Sequence, residues 1–362
     1  MPPVCNRLRM KIEENIRFKN FSVVCAILVV MIHSNAQPIN GTWQEAIMRV
    51  VQYVEKIAVP FFFLASGFFL SVRMGERGWY VAAIRKRLRT LVLPFYIWQV
   101  SFIVFMLCMI GIGALLGYEV AYDRRLIRFD DGGVWYWLGL HPFLPVNIVW
   151  YLRMLFFLCL LSPLTTNVYM RRIMLVMSFA AYTMHEGGIW SGDAYVCLDN
   201  FFSVRGLFFF IIGIDLAKGG LPLLYNRVLF AVSLLGTVIM LVLMALSYKV
   251  CACVNCLGVV AMLVVLLNLT PCNRWRKWLY EMTFPVYLIH LYILIVMNYV
   301  VKMMDISVWW QGSLLAFYLR VLLAFCCSCG IAIFIQRYFP RFGAIAFGGR
   351  GPSQRRFYEK MV

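Results

Sequence analysis

The sequence predicts an all-α, polytopic membrane protein, and three observations lead there. The 362-residue chain is 63% apolar and carries only 14% charged residues, far too few to cover the surface of a soluble domain this long. Apolar runs of roughly 17 or more residues, enough to cross a bilayer as a helix, recur from end to end. The basic residues, finally, alternate from loop to loop.

About ten spans are expected, near 21–37, 50–72, 90–116, 147–166, 172–189, 201–217, 228–247, 250–269, 282–301 and 312–336. With these spans, loops on one side collect 24 of the 34 Lys and Arg residues and loops on the other only six. The positive-inside bias then puts both termini in the cytoplasm. The net charge of +18 is therefore a topology signal, not a nucleic-acid-binding one. The first span has no small-residue cleavage site before it and is expected to be retained. Residues 1–20 are expected to form a cytoplasmic segment, 21–338 a single transmembrane domain and 339–362 a basic tail that is flexible after Gly348.

The loop near 117–146 is expected outside, with Trp135-Tyr136-Trp137 suited either to the membrane interface or to stacking on a sugar ring. A second outer loop, 185–200, is acidic and glycine-rich. Spans seven and eight carry no polar chemistry and are expected to be scaffold. The cysteine runs Cys251–Cys256 and Cys326–Cys329 fall in apolar spans without a histidine or carboxylate. They are read as packing residues, not as a metal site, with a disulfide near residues 251–256 left open.

The chemistry is concentrated in a few polar residues inside apolar spans. His33 stands about 20 Å along the first span, and His290 roughly 16 Å along the ninth. Imidazole is the side chain best suited to proton transfer near neutral pH, and ionisable groups at membrane depth are expensive to idle. Each histidine alone could simply fix helix packing through a hydrogen bond. Four basic residues also fall within spans: Lys56, Arg153, Arg205 and Arg320. Arg153 and Arg205 are candidates for a buried role, Arg320 is left open, and Lys56, beside Glu55, is read as snorkelling. The run Arg85-Lys86-Arg87-Leu88-Arg89 is expected at the N-terminus of the third span. Side-chain charge and free backbone N–H groups there would suit phosphate, although attraction to anionic lipid headgroups explains it equally well. Ser66-Gly67, inside the aromatic run Pro60–Leu70, allows close approach of a neighbouring helix or a ligand.

Taken in order, these stretches resemble the acyltransferase-3 family, bacterial integral-membrane enzymes that O-acylate glycans and related acceptors. The carriers are Val29-Val30-Met31-Ile32-His33, Val59–Phe68, the Arg85–Arg89 cluster, Val149–Arg153 with Leu161–Leu164, and Phe284–His290. The resemblance implies an acyl-CoA donor on the cytoplasmic side, an essential histidine at His33, and a donor-binding role for Arg85, Lys86 and Arg89. The chain lacks the serine- and glutamate-containing motif that many larger members carry near Trp150, and one departure bears on the donor site. Eleven residues before the histidine, where members carry arginine or lysine, this chain has Ser22. Arg17 and Lys19, a turn or so earlier, are candidates to substitute.

The resulting expectation is an O-acyltransferase of the bacterial cytoplasmic membrane, without a bound cofactor, that uses acyl-CoA (acetyl-CoA by default) as co-substrate. His33 would act as base or acyl relay, with His290 in support. Ser66 and Gly67 would lie on the donor path, and Arg153 or Arg205 would hold the oxyanion or the acceptor. The acceptor would be a glycan or lipid-linked sugar, with membrane lipids as the other partners. The alternatives are a transporter or flippase of a glycolipid or small anion, and a non-catalytic membrane relative.

Overall fold

The computed structural model describes residues 4–34, 41–117, 135, 137–141, 149–189, 199, 202–218 and 226–349, and of 4–12 only the backbone. Most of the two expected outer loops and the tail beyond Gly349 lie outside the described residues. Every regular element among the described residues is helical: α1 (Val4–Ser34), α2 (Trp43–Glu55), α3 (Ala58–Ser71), α4 (Trp79–Arg87), α5 (Leu93–Leu115), α6 (Trp150–Leu161), α7 (Val168–Glu186), α8 (Val204–Ala217), α9 (Arg227–Ala245), α10 (Ala252–Leu269), α11 (Lys277–Met303), α12 (Ser307–Gly312), α13 (Leu314–Tyr338) and α14 (Pro340–Ala346). Each expected span meets a helix. Among the described residues, seven helical stretches are long and apolar enough to cross a bilayer: 13–34, 43–71, 79–115, 227–245, 252–269, 277–303 and 314–338. The other three expected spans are met by α6, α7 and α8. Here α8 has only 14 residues, and charged residues at both ends dilute the apolar character of α7.

Three boundaries differ from the sequence reading, each for a visible reason. Helix α1 begins at Val4, so residues 4–20 are helical and run directly into the first span. That extension is fastened to the bundle: Arg17 Nη1 donates to the carbonyls of Leu267, Asn268 and Thr270 at 3.2, 2.6 and 2.8 Å. These are the last carbonyls of α10 and its cap, where a cation complements the helix dipole. Asn20 donates to the carbonyls of Pro271 and Asn273 and accepts from Tyr280 Oη at 2.6 Å.

The third span starts at Trp79, not near residue 90. The Arg85–Arg89 cluster is therefore interior to a continuous helical stretch, and its backbone N–H groups are already engaged in the helix, which removes part of the phosphate-site argument. Residues Leu88–Val92 form a π-turn, with Leu93 N–H bonded to the Leu88 carbonyl. Pro94 explains it: without an N–H it cannot serve the Thr90 carbonyl, and the ladder must shift register.

Finally, the start of the expected tail is folded. Helix α14 returns to α5, where Trp98 Nε1 donates to the Ala346 carbonyl at 2.9 Å and Trp98 stacks on Phe347 at 5.9 Å. Gly348, at φ +59°, then passes the Thr90 carbonyl so closely that a Cβ would lie 2.6 Å from its oxygen.

The tightest packing joins α3 to α8. A Cβ at Gly67 would meet the Phe210 carbonyl oxygen at 2.0 Å, and one at Gly213 the Leu64 carbonyl oxygen at 1.9 Å. Small residues let two backbones touch here, as membrane helices commonly require. The cysteines 251, 253, 256, 326, 327 and 329 are free thiols, so neither run forms a disulfide.

Candidate active site

A cavity of about 1320 Å³ runs along α1 and is walled by residues of α1, α2, α3, the α4–α5 stretch, α6, α8 and α11. On α1 its wall includes Asn15, Lys19, Ser22, Val29 and His33, spaced by three, four or seven residues and so sharing one helix face. Helix α3 runs antiparallel to α1, with Phe18 stacked on Phe68 at 4.4 Å and Phe21 edge-on to Phe61 at 4.7 Å. Helix α11 runs parallel to it, tied by Tyr280 to Asn20 at one end and by His290 to His33 further on. These directions fix which lining residues share an end of the cavity.

His33 occupies the last turn of α1, one residue before its end at Ser34. Its ring is open to the cavity and lies 5.1 Å, centroid to centroid, from the ring of His290. His290 itself is 1% exposed and stands at the middle of α11. Its Nδ1 lies 2.9 Å from the Val286 carbonyl oxygen, which can only accept, so Nδ1 carries the ring proton. The other nitrogen, Nε2, is buried without a hydrogen-bond partner. In the neutral ring it is an acceptor, on a residue whose ring neighbours His33.

The end of the cavity remote from His33 is basic. Lys19, Arg87, Arg274 and Lys277 line it, together with Trp275. Lys277 also pairs with Glu281 at 3.5 Å. Of the cluster singled out in the sequence, Arg87 faces the cavity, whereas Arg85, Lys86 and Arg89 are exposed and do not line it. Of the two candidates to replace the basic residue missing at position 22, Lys19 lines the cavity and Arg17 is engaged as the α10 cap. Ser22 lines it too, its hydroxyl donating to the Lys19 carbonyl at 2.6 Å.

Between the two ends lies an aromatic collar. Tyr151 packs against Phe62 at 6.2 Å, Phe63 at 5.0 Å and Tyr287 at 5.8 Å, and Tyr287 lies 6.4 Å from His290. Ser66 joins it, with Oγ 3.4 Å from Tyr151 Oη, and lines the cavity. Gly67 does not; it faces α8.

At the His33 end, Gln52, Glu55, Lys56, Trp150 and Arg205 line the wall. Arg205 is set in the first turn of α8 by a compound cap, with Ser203 Oγ accepting from Gly206 N–H at 3.0 Å and Asp199 Oδ1 from Val204 N–H at 2.8 Å. Its guanidinium lies 5.9 Å from the Tyr182 ring. Arg153 lies elsewhere. It is buried, does not line the cavity, and donates through Nη1 to the carbonyls of His141 at 2.6 Å and Gly139 at 3.5 Å. Arg320 is also away from the cavity, 5.4 Å from the Trp310 ring.

The cavity thus gathers His33, Ser66 and Arg205, sets His290 behind His33, and leaves out Arg85, Lys86, Arg89, Gly67 and Arg153. Sequence reasoning missed Arg274 and Lys277, counted only as topology charges, and Glu55, set aside as a partner of Lys56. No three His, Cys, Asp or Glu residues among the described ones are grouped to hold a metal ion.

Fold and site together define a multi-pass helical membrane protein with a polar chamber that joins a basic end to a histidine pair. An acyltransferase domain of the acyltransferase-3 family matches residues 22–335, and the chain belongs to that family. Membership makes it a membrane acyltransferase by descent. No curated protein and no solved structure matches it.

Proposed function

We propose that the protein is an O-acyltransferase of the bacterial cytoplasmic membrane, with ten spans and both termini inside, that moves an acyl group, acetyl by default, from acyl-CoA to a hydroxyl of a glycan or lipid-linked sugar. The observation that carries this reading is the continuity of the chamber: one cavity has Lys19, Arg87, Arg274 and Lys277 on its wall at one end and His33 at the other. From Lys19 to His33 is 14 residues of helix, roughly 21 Å, a distance suited to a long thioester arm whose phosphates stay at the basic end. The arm passes the collar of Phe62, Tyr151 and Tyr287, which excludes water from the thioester.

The reaction is a single exchange. The neutral His33 ring takes the proton of the acceptor hydroxyl as its oxygen attacks the thioester carbonyl. The C–S bond breaks, an ester remains on the acceptor, and the proton passes to the departing CoA thiolate. In the relay variant, a neutral His33 nitrogen attacks the thioester carbonyl, the C–S bond breaks and CoA leaves as the thiolate. The acceptor hydroxyl then attacks the acyl group on His33, the C–N bond breaks, and the hydroxyl proton passes by way of the freed ring to the CoA thiolate. His290 supports His33 by packing its ring beside it, with an unpaired Nε2 acceptor free to take a proton or a substrate hydrogen bond during the reaction. Arg205 sits where it can meet the acceptor.

The test is mass analysis of surface glycans from cells making the wild-type protein or His33→Ala at equal levels. The reading expects an ester-sized mass increment that disappears in the variant. Unchanged esters in His33→Ala remove that residue from the reaction, and a build-up of whole, unmodified glycan inside the cell supports transport instead.

A further inference from the structure

The His33 end of the chamber holds a buried carboxyl group that this mechanism does not use. Glu55, the last residue of α2, is 5% exposed and its Oε1 has no hydrogen-bond partner, yet the residue lines the cavity. The neighbour that ought to neutralise it points elsewhere: Lys56 Nζ lies over the Tyr53 ring, 5.6 Å from its centroid. A carboxyl group withdrawn from water without a donor is expensive to bury, and such groups persist in membranes where they serve a ligand or a proton path.

The local backbone accounts for its position. Pro60 has no N–H to give the Lys56 carbonyl, and the chain turns at Lys56–Ile57 through the short bonds Lys56 N–H to Tyr53 O (3.2 Å) and Ile57 N–H to Val54 O (3.3 Å). Glu55 therefore stands at a break between two helices, not within a regular one. Counting from the Phe18–Phe68 stack, His33 lies 15 residues along α1 and Glu55 13 residues back along α3 and α2. At the rise of a helix these are roughly 22 and 20 Å, which brings the two side chains to a common level of one chamber.

We propose that Glu55 is the acceptor-positioning residue, its carboxyl group accepting hydrogen bonds from hydroxyls of a polyhydroxylated acceptor while a neighbouring hydroxyl faces His33. The inference rests on the acyl-transfer reading and adds to it the residue that holds the acceptor. Two features select hydroxyls over an ammonium group. Lys56 and Arg205 line the same end, so a cationic ligand is repelled there. Gln52 and Trp150, on the same stretch of wall, supply an amide and an indole face, the pairing that suits a sugar ring with polar edges and an apolar face.

The experiment uses the full chain in detergent, acetyl-CoA labelled in its acetyl group, and a titrated glycan and glycolipid extract of the producing cells as acceptor. Glu55→Gln, of nearly the same shape, is compared with Glu55→Ala. The expected result is an acetyl-CoA dissociation constant within twofold of wild type in Glu55→Gln, with the half-saturating acceptor concentration raised at least tenfold. Saturation of either variant at the wild-type acceptor concentration overturns the proposal. So does a loss of acetyl-CoA binding in both variants, which would make Glu55 a support of the helix break. If the wild-type protein itself labels nothing, the acyl-transfer reading fails first, an outcome distinct from a working enzyme indifferent to residue 55.

Discussion

The rings of His33 and His290 lie 5.1 Å apart, one open to the chamber and the other buried behind it. The proposed division of labour follows from that asymmetry: the accessible ring is the one that would meet substrate, and the hidden one the one that would back it. His33→Ala is expected to lower turnover by the roughly 10²–10⁴-fold typical of a lost acid–base group. His290→Gln, whose amide can still reach the Val286 carbonyl, is expected to lower turnover less and to leave acetyl-CoA binding unchanged. Steady-state rates of acetyl transfer, measured beside equilibrium donor binding, check both. A His290→Gln enzyme at full rate would show that the buried ring serves packing alone.

The basic end makes a second prediction, because the sequence and the geometry select different residues. Arg274→Ala or Lys277→Ala should weaken acetyl-CoA binding by about 10–100-fold each, the worth of one charge-assisted contact of roughly 1.5–3 kcal/mol. Arg85→Ala and Lys86→Ala, whose side chains are exposed away from the cavity, should change it by less than about threefold. Isothermal titration at several salt concentrations reads both sets, and binding should weaken as salt rises. Equal losses at Arg85 and Arg274 would mean that the phosphates lie outside the cavity, on the exposed face of α4.

Gly67 was marked in the sequence as a place of close approach, for a helix or a ligand; its neighbour is α8. A methyl group there would stand 2.0 Å from the Phe210 carbonyl oxygen, a backbone atom that cannot turn aside. Gly67→Ala should therefore destabilise the protein by about 1–3 kcal/mol or more, as overpacking does. Thermal unfolding in detergent should show the loss, and acetyl-CoA should still bind to the fraction that remains folded. Ser66→Ala, one residue away on the cavity side, should show the opposite pattern: ordinary stability and an altered transfer rate.

Hydropathy revealed the helices because lipid admits few other solutions, and the histidines stood out because polar groups in lipid are rare. Helix ends were less legible. Residues 4–20 look like an ordinary charged segment until Arg17 is seen capping α10, about 250 residues away in sequence. The π-turn at Leu88–Val92 was signalled only by Pro94, which suits a helix start equally well. Within the site, the family resemblance drew attention to positions 22 and 33, which share one face of α1, but no local pattern could bring Arg274 and Lys277 to that face. Glu55 was hidden by a plausible neighbour, since adjacent opposite charges suggest a pair and only the rotamer of Lys56 shows that they do not form one.

Arg153 offers the sharpest separation of catalytic from structural work, since a buried arginine in a membrane enzyme invites the first reading. Its guanidinium holds the carbonyls of Gly139 and His141, and two residues of α5 hold the same segment: Tyr96 Oη donates to Leu138 O at 2.8 Å and Gln99 Nε2 to Trp137 O at 3.2 Å. Three side chains from two helices thus fasten residues 137–141 over the bundle, and none of these bonds faces the chamber. Removing one charged donor to a carbonyl costs about 1.5–3 kcal/mol. Arg153→Gln should therefore lower the unfolding temperature and speed proteolysis near residues 137–141, while the folded protein keeps its half-saturating concentrations for both substrates. Had Arg153 held an oxyanion instead, the variant would stay folded and lose turnover by about 10²–10³-fold. Limited proteolysis and initial rates on one preparation distinguish the two cases directly.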